Sequence, residues 1–221
     1  MTPASNVPPA IFVLAGPNGG GKSSIGGAMI RSRGADYYNP DEATRQLARA
    51  NPHVPLAEVN ALAWTVGYDR LRAAIDARSV FAFQTTLGGR SITESLLAAP
   101  SMGVALHLWY VALESAEAHI VRVQERVAAG GHDIPEKKIR SRYNSSRLNL
   151  IRLLPVATSV RVFDNTVTAD AYGTPSPVLV LSMQGGRITH IMPLAAVPTW
   201  AKPIVIAAMR VDGNIDPPRS P

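Results

Sequence analysis

A chain of 221 residues can bury a hydrophobic core but is short for two full domains, so we expect one compact domain with an appendage. It contains no cysteine, which excludes disulfides, thiolate catalysis and zinc–cysteine sites. The formal net charge of +6 favours anionic ligands such as nucleotides, sugar phosphates or nucleic acid. The N-terminus lacks the basic start and apolar run of a signal peptide, and prolines interrupt the apolar stretch 191–209. We therefore expect a cytoplasmic protein without a membrane span.

Short apolar runs alternate with helical patterns along most of the chain. The runs predict strands at 11–15, 80–85, 104–113 and 159–163, with a further short strand ending at Tyr37-Tyr38. The intervening patterns predict helices at 56–78, 91–99 and 116–129. This order predicts an α/β fold with a parallel sheet flanked by crossover helices. Beyond Asn165, the runs 178–183 and 187–192 predict a β-hairpin that turns at Gln184-Gly185-Gly186.

A glycine-rich segment follows the first predicted strand and matches the Walker A pattern in full, from Gly16 to Ser23. In such a loop the backbone N–H groups and the next helix bind phosphates, while Lys22 reaches the β and γ phosphates and Ser23 ligates Mg²⁺. The alternative is a glycine-rich turn that contains Lys-Ser by chance. The predicted ATP-binding residues of this loop are Gly16, Asn18, Gly19, Gly20, Gly21, Lys22, Ser23 and Ser24.

Two polar clusters follow other strands, at the edge where open α/β sheets bind ligands. Asp41 comes directly after the second strand, and a carboxylate there would orient an acceptor hydroxyl and take its proton. The alternative role for Asp41 is the N-cap of the next helix. Gln84, Thr85 and Thr86 end the third strand, where they would bind a polar acceptor or form a capped turn.

Two basic helices joined by Gly130-Gly131 predict a lid over the phosphates. Arg122 and Arg126 lie four residues apart on the first helix, and Asp133 and Glu136 have capping-box spacing for the second. The basic residues of the second helix are Lys137, Lys138, Arg140, Arg142 and Arg147. An arginine of the lid would stabilise charge on the transferring phosphoryl group. For any one arginine, the alternative is a solvated surface position.

The ordered motifs GPNGGGKS, YYNPDE, FQTTLGG, GGHDIPEKKIRSRY and VFDN resemble the zeta toxin family, particularly its short bacterial members, over roughly residues 11–165. Zeta toxins are P-loop kinases that phosphorylate UDP-N-acetylglucosamine with ATP and Mg²⁺ unless an antitoxin binds them. Together with the strand and hairpin patterns, this predicts a flexible N-terminus over 1–9, a P-loop kinase domain over 10–168 with a lid at about 122–142, and a C-terminal hairpin and tail over 169–221 packed on the same domain.

The resemblance also implies roles for single residues. Asp41 becomes the general base, while Arg126 and Arg142 become phosphate clamps. Thr86 helps to hold the sugar nucleotide, and Asn165 of the VFDN motif belongs to the nucleotide site.

Gln84 stands where the family pattern has a glutamate, so the side chain keeps its shape and loses its charge. This departure leaves the acceptor open. A kinase for another small hydroxyl compound is one alternative, and an inactive nucleotide-binding member that acts through its antitoxin is a second. A nucleic-acid-associated ATPase is the third, supported by the net charge but by no recognisable nucleic-acid module.

Overall fold

The computed structural model describes residues 8–22, 37–131, 133–167 and 177–213. The strands are β1 (Ala10–Ala15), β2 (Tyr37–Tyr38), β3 (Val80–Thr85), β4 (Ala105–Ala112), β5 (Ser159–Asp164), β6 (Val178–Gln184) and β7 (Arg187–Ile191). The helices are α1 (Pro40–Ala50), α2 (Leu56–Asp76), α3 (Arg90–Ala98), α4 (Ala116–Ala128), α5 (Glu136–Leu153) and α6 (Lys202–Val211). Among these described residues, no helix is both long and apolar enough to cross a bilayer.

The strands form one sheet in the order β2-β3-β1-β4-β5-β6-β7. The first five run parallel, while β6 and β7 add to β5 as an antiparallel hairpin. The predicted α/β fold with a C-terminal hairpin is confirmed. Because β1 lies between β3 and β4, the loop after β1 meets the loops after its neighbours at one edge of the sheet.

The main hydrophobic core lies between one face of the sheet and the helices. Val13 of β1 and Tyr110 of β4 pack there with Leu71 of α2, Leu150 of α5 and Ile204 of α6, all of them buried. Full burial of each aliphatic side chain contributes roughly 1.5–3 kcal/mol. A smaller cluster occupies the opposite face and contains Leu14, Ala82, Trp109 and Val111. The core therefore fixes α2 and α5 against the sheet.

The capping box predicted for α5 is wrong. The helix begins at Glu136, and its N-cap is Pro135, which makes no side-chain cap hydrogen bond. Ile134 instead packs with Ile120 and Ile139 in a small cluster that seats the turn before α5. Burial of this side chain sets where the chain enters the helix, and Asp133 is left before the N-cap position, which Pro135 occupies.

The sequence patterns predict no helix after the hairpin, yet α6 forms there. Pro203 lies in the first turn of α6, where its missing N–H costs no hydrogen bond. Ile204, Val205 and Ala208 form the buried face of the helix. An ion pair between Arg187 and Asp212, with an N–O distance of 3.0 Å, connects the hairpin to the end of α6.

Candidate active site

The loop after β1 packs tightly against β4 and α4. Gly16, Gly19 and Gly21 all have a positive φ, which residues with a side chain rarely adopt. A Cβ at Gly16 would lie 2.0 Å from the carbonyl oxygen of Val111, and one at Gly19 would lie 2.6 Å from that of His119. Glycine is therefore required at both positions. Ser23 and Ser24, the predicted magnesium ligand and its neighbour, lie outside the described residues.

Lys22 folds back into this loop. Its Nζ donates to the carbonyl oxygens of Gly16 at 2.7 Å and Pro17 at 2.8 Å, and the residue is only 6% exposed. Burial lowers the pKa of Lys22 to about 8; Asp41 opposes this shift, and the cations Arg126 and Arg142 add to it. The predicted catalytic side chains therefore surround one buried ammonium group.

Two side chains from distant segments bind the same loop. Arg142 of α5 donates to Oδ1 of Asn18 at 2.9 Å. Asn165, which follows β5, donates its Nδ2 to the carbonyl oxygen of Gly20 at 3.1 Å. Oδ1 of Asn165 is buried and has no hydrogen-bond partner within the described parts of the chain. The predicted nucleotide-site residues Asn18, Gly20 and Asn165 thus lie together, with an acceptor oxygen left for a ligand or water.

Asp41 lies in the first turn of α1. The N-cap of this helix is Asn39, whose side chain accepts from the backbone N–H of Asp41 at 3.0 Å. The alternative role of Asp41 as the N-cap is therefore wrong. Its carboxylate lines a cavity of about 990 Å³ between the loop after β1, α2, the end of β3 and the start of α5.

The cavity brings most of the predicted site residues together. They are Asn18, Lys22, Asp41, Gln84, Thr85, Thr86 and Arg142. Among the described residues, Arg126 lies outside this lining, near enough to Lys22 to lower its pKa. Arg122 also lies elsewhere, because it donates to the carbonyl oxygens of Asn165 at 2.6 Å and Thr166 at 3.1 Å. Arg122 therefore supports the loop after β5.

The basic residues of α5 divide between two surroundings. Lys137, Lys138 and Arg142 line the cavity. Arg140 forms an ion pair with Glu117 at the surface, and Arg147 stacks over the ring of Tyr143 at 4.3 Å. The solvated alternative therefore describes Arg140, whereas Arg147 packs on an aromatic ring.

The loop after β3 is held in a strained conformation. Leu87 is fully buried and has a positive φ of 54°, which is costly for a branched side chain. Oγ1 of Thr85 accepts from the N–H of Leu87 at 3.0 Å, and Asn149 of α5 donates to its carbonyl oxygen at 2.9 Å. Gln84 accepts from the hydroxyl of Tyr37 at 3.0 Å. The turn interpretation thus fits Thr85 and leaves Thr86 facing the cavity.

An aromatic pair at the cavity was missed from the sequence. Trp64 and Tyr68 of α2 stack with ring centroids 5.2 Å apart and planes 13° from parallel, and both line the cavity. Trp64 is 45% exposed, so one of its faces can receive a ligand. The spacing of four residues was visible, but α2 was treated only as a crossover helix. His119 and Asn149 were also missed, since neither belongs to a motif.

Comparisons with known proteins place this arrangement in context. No protein-family model matches the chain. A chain of the AvrRxo1-ORF1:ORF2 complex crystallised with ATP aligns over 92% of this chain with 18% identity and a TM-score of 0.62; the alignment spans 64% of that chain, slightly less than two thirds. A chain of the PezAT toxin–antitoxin system of Streptococcus pneumoniae aligns over 96% of this chain and 88% of its own length, with 12% identity and a TM-score of 0.54.

These neighbours confirm the P-loop kinase fold that the zeta toxin resemblance implied. A closer relative in sequence is an uncharacterized protein of Haemophilus influenzae. It is 32% identical over 138 residues, which are 61% of this chain and 91% of that protein. The chain belongs to the same family as this Haemophilus protein.

Proposed function

We propose that the protein is a kinase that transfers the γ-phosphoryl group of ATP to a hydroxyl of a sugar nucleotide such as UDP-N-acetylglucosamine. The observation that carries this proposal is the convergence of Lys22, Asp41 and Arg142 on one cavity at the carboxyl edge of a parallel sheet. A P-loop with an adjacent carboxylate and a cation contains the groups that phosphoryl transfer needs. The structural neighbour crystallised with ATP supports the choice of nucleotide.

Each of the three side chains has a proposed step. Asp41 accepts the proton of the acceptor hydroxyl while the hydroxyl oxygen bonds to the γ-phosphorus and the bond to the β–γ bridging oxygen breaks. Lys22 exchanges its two carbonyl partners for phosphate oxygens, and Arg142 balances the charge that develops on the transferring group. Arg126, which is near enough to Lys22 to lower its pKa, acts as a second phosphate clamp. Mg²⁺, held by Ser23, would neutralise the β and γ phosphates when bound.

The acceptor proposal rests on further residues of the cavity lining. The exposed face of Trp64 offers a stacking surface for a base, and Lys137 and Lys138 offer positive charge for phosphates. Gln84 and Thr86 supply hydrogen bonds for sugar hydroxyls at the end of β3. A volume of about 990 Å³ is at the upper end of small-molecule sites, as two substrates require.

We further propose a toxin role with an antitoxin partner in the cytoplasm. The support is the zeta toxin resemblance together with the fold shared with a chain of the PezAT toxin–antitoxin system. The kinase domain would span 10–168 and include the lid at about 122–142. Residues 169–221 would pack on it, which agrees with the pairing of β6 to β5.

The first test measures ATP binding by calorimetry in the wild type and in Lys22→Ala. Removal of the ammonium group from the β and γ phosphates should weaken binding at least tenfold, or about 1.4 kcal/mol. Lys202→Ala, at the exposed start of α6, is the matched control and should bind as the wild type does. Unchanged affinity in Lys22→Ala would reject the site.

The second test identifies the acceptor. The protein is incubated with ATP, Mg²⁺ and a panel of sugar nucleotides, and each compound is examined by mass spectrometry for the addition of one phosphate. Addition to a UDP-sugar that requires Lys22 would support the proposal. If only a small alcohol without a base is phosphorylated, the protein is a kinase with a different acceptor.

A further inference from the structure

The backbone carbonyl groups of the loop after β1 are held by hydrogen bonds from side chains. In a phosphate-binding loop the N–H groups point inward, so the carbonyl groups point outward and need partners in the protein. Four of them have such partners here. Lys22 satisfies Gly16 and Pro17, Asn165 satisfies Gly20, and His119 satisfies Asn18. Of these partners, Asn165 and His119 come from outside the loop, whereas Lys22 belongs to it.

His119 makes two hydrogen bonds that fix its tautomer. Nε2 accepts from the backbone N–H of Leu113 at 3.1 Å, because a backbone nitrogen is only a donor. Nδ1 therefore carries the proton and donates to the carbonyl oxygen of Asn18 at 2.7 Å. The residue is 0% exposed, and the edge of its ring meets the ring of Tyr143. One neutral imidazole thus connects the end of β4 to the middle of the loop.

The bond to Asn18 acts where the backbone has most freedom. A glycine at position 19 allows the peptide between Asn18 and Gly19 to turn either way. In a planar trans peptide the C=O and N–H point in opposite directions. If His119 holds the carbonyl of Asn18 outward, the N–H of Gly19 must point inward. The imidazole therefore selects the peptide orientation that presents a donor to a phosphate.

The charges around His119 favour the neutral form that this role needs. Burial lowers the pKa of His119 to about 4; the Asn18 carbonyl opposes the shift, while Lys22 and Arg122 add to it. The loop and α4 thus contribute the facing cations, and Tyr143 of α5 contributes an aromatic ring in T-shaped contact. A charged imidazolium would also lose the bond from Leu113, since it has no acceptor nitrogen.

We propose that His119 is a positioning residue that locks the peptide between Asn18 and Gly19 with its N–H toward the phosphates, and so sets ATP affinity without touching ATP. This inference rests on the proposed ATP-binding function. It adds a residue from α4 to a loop whose motif lies entirely in residues 16–23.

The test compares ATP–Mg²⁺ affinity by calorimetry in the full chain and three variants. His119→Leu removes both hydrogen bonds and should weaken binding at least tenfold. His119→Gln keeps a neutral donor and acceptor, so its affinity should stay within threefold of the wild type. His107→Leu is the control, because His107 also bonds across the sheet, to Ser159 at 2.8 Å, and stacks on Phe12 away from the loop. This variant should lose thermal stability but keep its ATP affinity.

The comparison of His119→Gln with His119→Leu separates positioning from a general structural role. Restored affinity in His119→Gln, with His119→Leu weakened, supports positioning whatever the melting temperatures are. Wild-type affinity in His119→Leu would overturn the inference alone, and absence of ATP binding by the wild type would overturn the proposed function with it. If His119→Leu does not fold, His119→Asn replaces it. Its amide is too short to reach both partners, so equal affinity in His119→Asn and His119→Gln would overturn the inference.

Discussion

The two sides of the cavity differ in how they are built. On the P-loop side, Asn18 and Lys22 are buried and already hydrogen-bonded within the protein. On the α2 side, Trp64 is 45% exposed and stacks on Tyr68. A phosphate must find a rigid set of donors that replaces its water shell, whereas a flat ring needs only an open surface. The P-loop side can therefore be predicted from a sequence motif, whereas the α2 side depends on which surfaces the fold leaves exposed.

The largest effect is expected from replacing Asp41, the carboxylate near the P-loop. Asp41→Asn keeps the shape of the side chain but cannot take a proton, so phosphoryl transfer should fall by about 10²–10⁴-fold. ATP affinity should remain near that of the wild type, because the proposed base contacts the acceptor hydroxyl. Rates are measured with the acceptor identified from the sugar-nucleotide panel. Glu42→Gln, the exposed neighbour on α1, is the control and should retain full activity. Equal rates in both variants would show that a residue other than Asp41 is the general base.

The pH dependence of stability tests whether His119, which holds the P-loop, is neutral in the folded protein. The pKa of His119 is about 4 in the folded protein and about 6.5 in an unfolded chain, so between these values the unfolded state binds more protons. The contribution of the neutral imidazole is therefore complete above pH 6.5 and is lost as the pH falls toward 4. The loss should reach about 3 kcal/mol.

Urea unfolding at pH 7 and at pH 4.5 measures this loss. His119→Gln cannot titrate, so its stability should fall less over the same range than that of the wild type. His190→Gln, which removes an exposed histidine on β7, serves as the control. If the wild type and His119→Gln lose equal stability, the imidazole does not remain neutral in the way its two hydrogen bonds require.

The sequence predicted those parts of the molecule that depend on nearby residues. The run Ala10–Ala15 is apolar at every position, which is typical of a strand buried on both faces, and the glycines with positive φ from Gly16 onward follow it directly. Helix α6 is not apparent in the sequence because prolines interrupt its apolar stretch, although the first turn of a helix accepts proline.

The missed site residues act across long distances in sequence. His119 contacts a loop 101 residues away, and Asn149 contacts Leu87 from 62 residues away. No local pattern records such a bond, because the two segments meet only after the sheet has assembled. Arg122 shows the converse: it has the spacing of a lid cation, yet its guanidinium supports the backbone after β5.

An effect of intermediate size is expected on the α2 side of the cavity. Trp64→Ala removes the exposed stacking face, and base stacking on an aromatic ring is worth roughly 1–3 kcal/mol. The KM for a nucleotide acceptor should therefore rise about tenfold, while ATP affinity remains unchanged. Leu62→Ala on the same helix is the control, since Leu62 is 51% exposed and lies outside the cavity lining. An unchanged KM in Trp64→Ala would show that the acceptor does not stack there.

The smallest expected effect lies where the two sides meet, at Gln84. This side chain is 5% exposed, lines the cavity and accepts from the hydroxyl of Tyr37, so a glutamate of the same shape fits without repacking. A carboxylate accepts hydrogen bonds about twice as strongly as an amide does. Gln84→Glu should therefore raise acceptor phosphorylation by roughly fivefold, which corresponds to about 1 kcal/mol, and leave ATP affinity nearly constant. Gln84→Met, which removes both polar atoms, should lower the rate instead. The comparison is made from kcat/KM for the acceptor at saturating ATP. A lower or unchanged rate in Gln84→Glu would show that position 84 does not contact the acceptor. The acceptor-binding residues would then lie beyond the end of β3.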